Sequence, residues 1–159
     1  MYSSDDYELT TEMDLDLFNS LTSVHPKITF IPSHYDNGGK HYDEFKYRFD
    51  RLGECKHAYL PIDKRPSNTS LLKAMDSDVI FLDGGNTYYF LWHLRKAGML
   101  NLLRDYAKEG GVLAGTSAGA IIMTPTIRTA GFPDFDKDDN FIGLQDETAL
   151  GLVGFEFFP

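Results

Sequence analysis

Val112-Leu113-Ala114-Gly115-Thr116-Ser117-Ala118-Gly119-Ala120-Ile121-Ile122-Met123, in one-letter form VLAGTSAGAIIM, decides the fold. Val112 to Ala114 form a short apolar strand, Ala118 to Met123 form a helix-forming run, and G-x-S-x-G over 115–119 joins them. A serine at such a turn sits in strained backbone with its Oγ at the carboxyl edge of a sheet. The small flanking residues let the chain turn tightly and let a substrate carbonyl approach. The first amides of the following helix, Ala118 included, then point at a developing oxyanion. The plainer reading is a glycine-rich turn with an incidental serine; the strand before and the helix after favour the elbow.

Upstream, the same strand–turn–helix order recurs. Asp78 to Leu82 (DVIFL) reads as a strand, Asp83-Gly84-Gly85 as its stop, and Asn86 as the cap of a helix bearing Tyr89, Phe90, Trp92 and Leu94. Gly98 ends that helix and another runs from about residue 100 to 109, before the Gly110-Gly111 turn. Strands are also expected over Lys27 to Ser33 and His57 to Ile62. Helices are expected from Thr11, with Met13, Leu17, Phe18 and Leu21 on one face, and over Tyr42 to Leu52, after Gly38-Gly39. A short one, capped by Ser67 or Asn68, runs through Ala74.

Strands alternating with helices predict an α/β fold: three layers, a mostly parallel sheet with helices on both faces, and a nucleophile elbow. The apolar runs lack period-two alternation, as strands covered on both faces do. Pro125 to Asp146 reads as a long polar loop, and Leu152 to Phe158 as a last strand before Pro159. One domain over residues 1–159 is expected.

Composition narrows the function. Of 159 residues, 42% are hydrophobic and 14% aromatic, enough for a core and against disorder. The formal charge is −9, so nucleic acid and anionic membranes are poor partners. A single cysteine, Cys55, cannot form an internal disulfide and reads as a small core residue. No apolar run reaches membrane-helix length, and the acidic start, Met1 to Asp6, lacks the basic region of a signal peptide. A cytoplasmic location is the resulting expectation. No histidine pair has metal spacing, and neither a metal nor a cofactor is expected.

The two turns act on one edge of the sheet, because the carboxyl ends of parallel strands lie together. The bare amides of Gly84 and Gly85 are candidates for a second oxyanion donor; the alternative is a tight turn capped by Asn86. Together, FLDGGNTYYFLWHLRKAGML and VLAGTSAGAIIMTPTI resemble the dipeptidase E, or S51, serine peptidases, whose fold is related to class I glutamine amidotransferases. The shared pattern is G-G-N at 84–86, G-x-S-A-G-A at 115–120 and P-T-I at 125–127. The resemblance spans roughly residues 12 to 159 and is strongest at these blocks. It implies Ser117 as nucleophile, the amides of Gly85 and Ala118 as the oxyanion hole, and Gly84 and Asn86 at the substrate. It also implies small peptides as substrates, with an N-terminal aspartate preferred. For the acidic triad member it points to the loop after the elbow, where Asp134 and Asp136 stand ahead of Asp146 and Glu147.

The pattern departs at the base. In the family the histidine follows a proline that closes the strand after the long loop; here Pro159 stands at that place. The chain resembles a family member trimmed at both ends. Among its own five histidines, His34 and His41 flank the Gly38-Gly39 loop at the functional edge, whereas His25 reads as solvated and His57 and His93 as structural. Three readings stay open: a serine peptidase, a non-catalytic relative that binds a peptide or partner, and a chain completed by another subunit. An exposed sheet edge invites a homodimer in the last case.

Overall fold

The computed structural model describes residues 7–34, 39–134 and 136–159. The acidic start and Gly38 lie outside these residues. The elements run α1 (Tyr7–Ser20), β1 (Lys27–Ile31), α2 (Lys40–Asp50), β2 (Lys56–Tyr59), α3 (Asn68–Met75), β3 (Val79–Leu82), α4 (Thr87–Lys96), α5 (Met99–Lys108), β4 (Val112–Gly115) and α6 (Ala118–Ile122). A 3-10 turn, Arg128–Gly131, follows.

The four strands form one parallel sheet in the order β2-β1-β3-β4. Successive side chains of a strand face opposite ways, so each strand feeds two cores. Ile28, Phe30, Val79, Phe81 and Ala114 pack with Phe45 and Phe49 of α2. Ile31, Ile80 and Leu82 pack on the other face with Phe90, Leu91 and Leu94 of α4, Leu103 of α5 and Ile121 of α6. Helices therefore cover both faces, and the three-layer α/β expectation holds.

Local chemistry explains the boundaries. Ser67 Oγ accepts from Ser70 N–H and Asn86 Oδ1 from Tyr89 N–H, so both expected caps are made. On α4 the buried residues are Thr87, Tyr88, Phe90, Leu91 and Leu94, a stripe that recurs at steps of three and four. Tyr89 and Trp92, expected on that face, are only half-buried. Among the described side chains of α1, the buried one is Asp14 rather than Met13. Arg48 of α2 meets the Asp14 carboxylate with two parallel donors, Nε to Oδ2 and Nη2 to Oδ1 at 2.6 Å for the latter. This fork–fork geometry lets a helix seal the sheet over a charge.

The expected strand Leu152 to Phe158 is not formed. The amides of Leu150, Gly151 and Leu152 instead donate to the carbonyls of Ile122, Thr124 and Met123. Those carbonyls, at the end of α6, have no acceptor role within the helix, and the incoming segment satisfies them. Residues 125–127 pair with 147–149 through Ile127 N–H to Glu147 O and Ala149 N–H to Pro125 O. Arg104 fastens the same segment by donating to the carbonyls of Ala149 and Leu150.

Two weak acids, the half-buried Cys55 and the buried Tyr106, give the fold an alkaline limit. Burial, assisted by Asp50, pushes the Cys55 thiol from 9.0 to about 11. Burial pushes the Tyr106 phenol from 10.0 to about 12, where it donates to Ser77 O at 2.9 Å. The folded state holds both protons more tightly than the unfolded chain. Their stabilisation is complete below pH 9 and is lost as pH rises towards 11 and 12. Denaturant midpoints are expected to fall across that window, and Tyr106→Phe to flatten the fall. Equal slopes for the two chains would contradict this.

Candidate active site

Ser117 caps α6 with φ 45° and ψ −112°, and is the one non-glycine residue with positive φ among the described residues. Left-handed backbone is costly for a residue with a Cβ, so the surroundings must impose it. They do so by close approach. Thr116 N–H donates to Leu82 O at 3.1 Å, Gly119 N–H closes back to Thr116 O at 2.8 Å, and Ile121 N–H reaches Ser117 O at 3.0 Å. A Cβ on Gly119 would stand 2.1 Å from Leu82 O, and one on Gly115 2.8 Å from the Gly119 carbonyl carbon. Both glycines of G-x-S-x-G are therefore steric requirements. Ser117 is half-buried while Thr116 and Ala118 on either side are buried.

The second turn lies beside it, since Leu82 pairs with Gly115 in the β3–β4 register. Gly84 is buried and Gly85 is exposed with φ 120°. The Asn86 side chain is committed at both ends: Oδ1 caps α4, and Nδ2 donates to Asp139 O at 3.0 Å. The Asp138 carboxylate accepts from Thr87 N–H at 2.7 Å, an anion at the helix start. These bonds clamp the acidic loop against the turn.

A pocket of about 200 Å³ opens at Ser117. Its wall includes Thr87, Ile121, Thr129, Phe132, Asp136, Asp138, Phe158 and Pro159. The hydroxyl oxygens of Thr87 and Thr129 are buried there without a hydrogen-bond partner among the described residues. Of the sequence-derived acids, Asp136 lines this pocket. Asp134 does not: it points to solvent and pairs with Lys137 at 3.0 Å. Asp146 pairs with Arg95 at 3.0 Å, and Glu147 faces Arg128 at 3.9 Å.

None of the five histidines lines the Ser117 pocket. His25 faces Glu54 and His57 bonds Asp50 at 2.6 Å. His93 lies on α4 against Trp92, and burial lowers its pKa despite Asp63 nearby. His34 and His41 do reach the carboxyl edge, where His34 Nδ1 meets Ser33 Oγ at 2.8 Å and His41 Nδ1 meets Asp83 Oδ2 at 3.3 Å. His41 and Asp83 line a different cavity, floored by Phe30, Phe45 and Phe81. Sequence reasoning missed Asp138, Thr87 and Ser33. Thr87 was within reach of it, because it follows the capping Asn86 at the start of α4.

Residues 2–159 match the model of Peptidase family S51. The chain belongs to peptidase family S51. Relatives of this S51 chain include the uncharacterized peptidase YgaJ of Bacillus subtilis, 33% identical over 69% of the chain and 47% of that protein. Another is the uncharacterized peptidase PM1590 of Pasteurella multocida, 31% identical over 83% of the chain and 63% of that protein. Peptidase E of Salmonella arizonae is 43% identical over 52% of the chain and 34% of that protein. The S51 chain thus spans about a third to two thirds of the curated relatives it matches. Among solved structures, a Listeria monocytogenes EGD-e protein superposes with a TM-score of 0.73 at 26% identity, over 89% of the chain and 71% of its own. A peptidase from an acI-B1 Actinobacterium gives 0.68 at 20% identity and supports the fold alone. Among the described residues, no helix is long and apolar enough to cross a membrane.

Proposed function

We propose that this chain is a serine peptidase of the dipeptidase E type, acting on small peptides through the nucleophile Ser117. The observation that carries the proposal is Ser117 itself, held at φ 45° by two glycines with no room for a side chain. A backbone strained at a reactive residue, with helix amides beside it, is how acyl-transfer sites preorganise. In this mechanism Ser117 Oγ attacks the scissile carbonyl and loses its proton to a base. The amides of Ala118 and Gly85 take the oxyanion, the amine leaves with a proton, and water hydrolyses the acyl-enzyme.

The acidic partner comes from Asp136 or Asp138 in preference to Asp134, since the first two line the pocket. The base is the triad role that the pocket lining leaves open, since none of the five histidines lies there. The same pocket wall carries two carboxylates and no lysine or arginine, which suits the free ammonium of a peptide. An N-terminal aspartyl side chain would draw its basic partner from elsewhere.

Labelling tests the nucleophile. A fluorophosphonate is expected to add once, at Ser117, as read by intact mass and peptide mapping. Free imidazole is expected to accelerate that labelling by standing in for the base. Labelling at another residue would contradict the proposal. Imidazole-independent labelling that disappears in a His34 or His41 variant would move the base to that histidine.

A further inference from the structure

Ser33 lies two residues beyond the end of β1 and is fully buried. Its hydroxyl reaches across 51 residues of sequence to donate to the Gly84 carbonyl at 2.5 Å. A carbonyl oxygen only accepts, so the single hydroxyl proton of Ser33 is spent there. The contact between Ser33 Oγ and His34 Nδ1, at 2.8 Å, must then run the other way, with His34 Nδ1–H donating. The result is a directed chain of donors, His34 to Ser33 to the Gly84 carbonyl.

That carbonyl shares a planar peptide unit with the Gly85 N–H. The unit is trans, so the C=O and N–H point in opposite directions and move together. A Gly-Gly peptide is otherwise the freest to rotate. A bond to the oxygen therefore fixes the direction of the hydrogen. It also polarises the peptide and strengthens the N–H as a donor. The fit is mutual: a Cβ on Gly85 would lie 2.3 Å from Ser33 Oγ. Gly85 must be bare for Ser33 to take its seat.

We infer that Ser33 and His34 are positioning residues for the oxyanion hole, locking the Gly84–Gly85 peptide so that the Gly85 N–H keeps one direction. The inference rests on the reading of Gly85 as an oxyanion donor. Neither residue touches the reacting atoms. Losing a donor outright slows such enzymes about 100- to 1,000-fold, and a donor left in place but unlocked costs less.

The test compares the wild-type chain with Ser33→Ala, His34→Leu and His34→Asn. An asparagine amide places a donor near the position of His Nδ1. Two readouts are taken. The first is the residual dipolar coupling of the Gly85 N–H with the carbonyl shift of Gly84 by NMR, which needs no turnover. The second is kcat and KM for a dipeptide, or the rate of Ser117 labelling by a fluorophosphonate. Ser33→Ala is expected to average the Gly85 coupling while its neighbours keep theirs, and to lower kcat or labelling about tenfold or more with KM nearly unchanged. His34→Leu is expected to act in the same direction, with His34→Asn restoring most of the loss. An unchanged Gly85 coupling in Ser33→Ala would overturn the inference. So would a lower melting temperature with the rate intact. Hydrolysis that survives in Ser117→Ala would instead overturn the peptidase mechanism, while the Gly85 coupling would still report on the lock.

Discussion

Gly119→Ala is expected to lower the thermal midpoint by about 10 °C or more, or to prevent folding. The added Cβ would stand 2.1 Å from the Leu82 oxygen and 2.6 Å from its carbonyl carbon. Both are backbone atoms in the middle of a four-stranded parallel sheet, so neither can swing aside as a side chain end could. The same oxygen accepts the Thr116 amide, so relief would pull α6 off the sheet and break the bond that sets the elbow. A loss of about 4 kcal/mol is the scale of such overpacking against fixed atoms. Gly143→Ala is the matched control: φ is 63° there but nothing lies within 4 Å of the new Cβ. Its cost should be about 1–2 kcal/mol from backbone strain alone. Thermal melts followed by circular dichroism decide the matter. Equal midpoints for the two variants would contradict the close-approach account of the elbow.

Ser117→Ala should abolish hydrolysis while leaving the melting temperature within about 2 °C of wild type. Serine nucleophiles removed from complete sites typically cost about four to six orders of magnitude in kcat. The side chain is half-buried and makes no cap bond to α6, so its loss leaves no buried polar group unpaired. Ser117→Gly sharpens the point. Strain at this φ and ψ is worth about 1–3 kcal/mol, and glycine costs about 0.5–1 kcal/mol in chain entropy. A gain in stability together with loss of activity is therefore expected of Ser117→Gly. A less stable glycine variant would mean that the serine serves packing.

Much of this was legible in the residues because it is local and steric. Gly115, Ser117 and Gly119 announce a turn that only small residues can make, and Asn86 announces its own cap. The strands were legible as apolar runs, and the structure shows why they do not alternate: Phe30 and Ile31, or Ile80 and Phe81, feed opposite cores. What was illegible depends on distant partners. Asp14 reads as a solvated helix residue until Arg48, 34 positions on, meets it in the interior. Leu152 to Phe158 reads as a strand, yet its first amide, that of Leu152, is taken by the Met123 carbonyl at the end of α6. In the loop after the elbow, four carboxylates within six residues look alike in sequence. The fold turns Asp136 and Asp138 to the pocket and leaves Asp134 with Lys137. Ser33 carried no signal at all, since its partner is a backbone carbonyl 51 residues away.

The most direct test of the central claim, that Ser117 is a nucleophile, is hydrolysis of a panel of Asp-Xaa and other dipeptides in the presence of imidazole. The wild-type chain and Ser117→Ala are assayed side by side, with folding of both verified. Turnover by the wild type that vanishes in the variant is the expected result. Equal turnover in the two would contradict it.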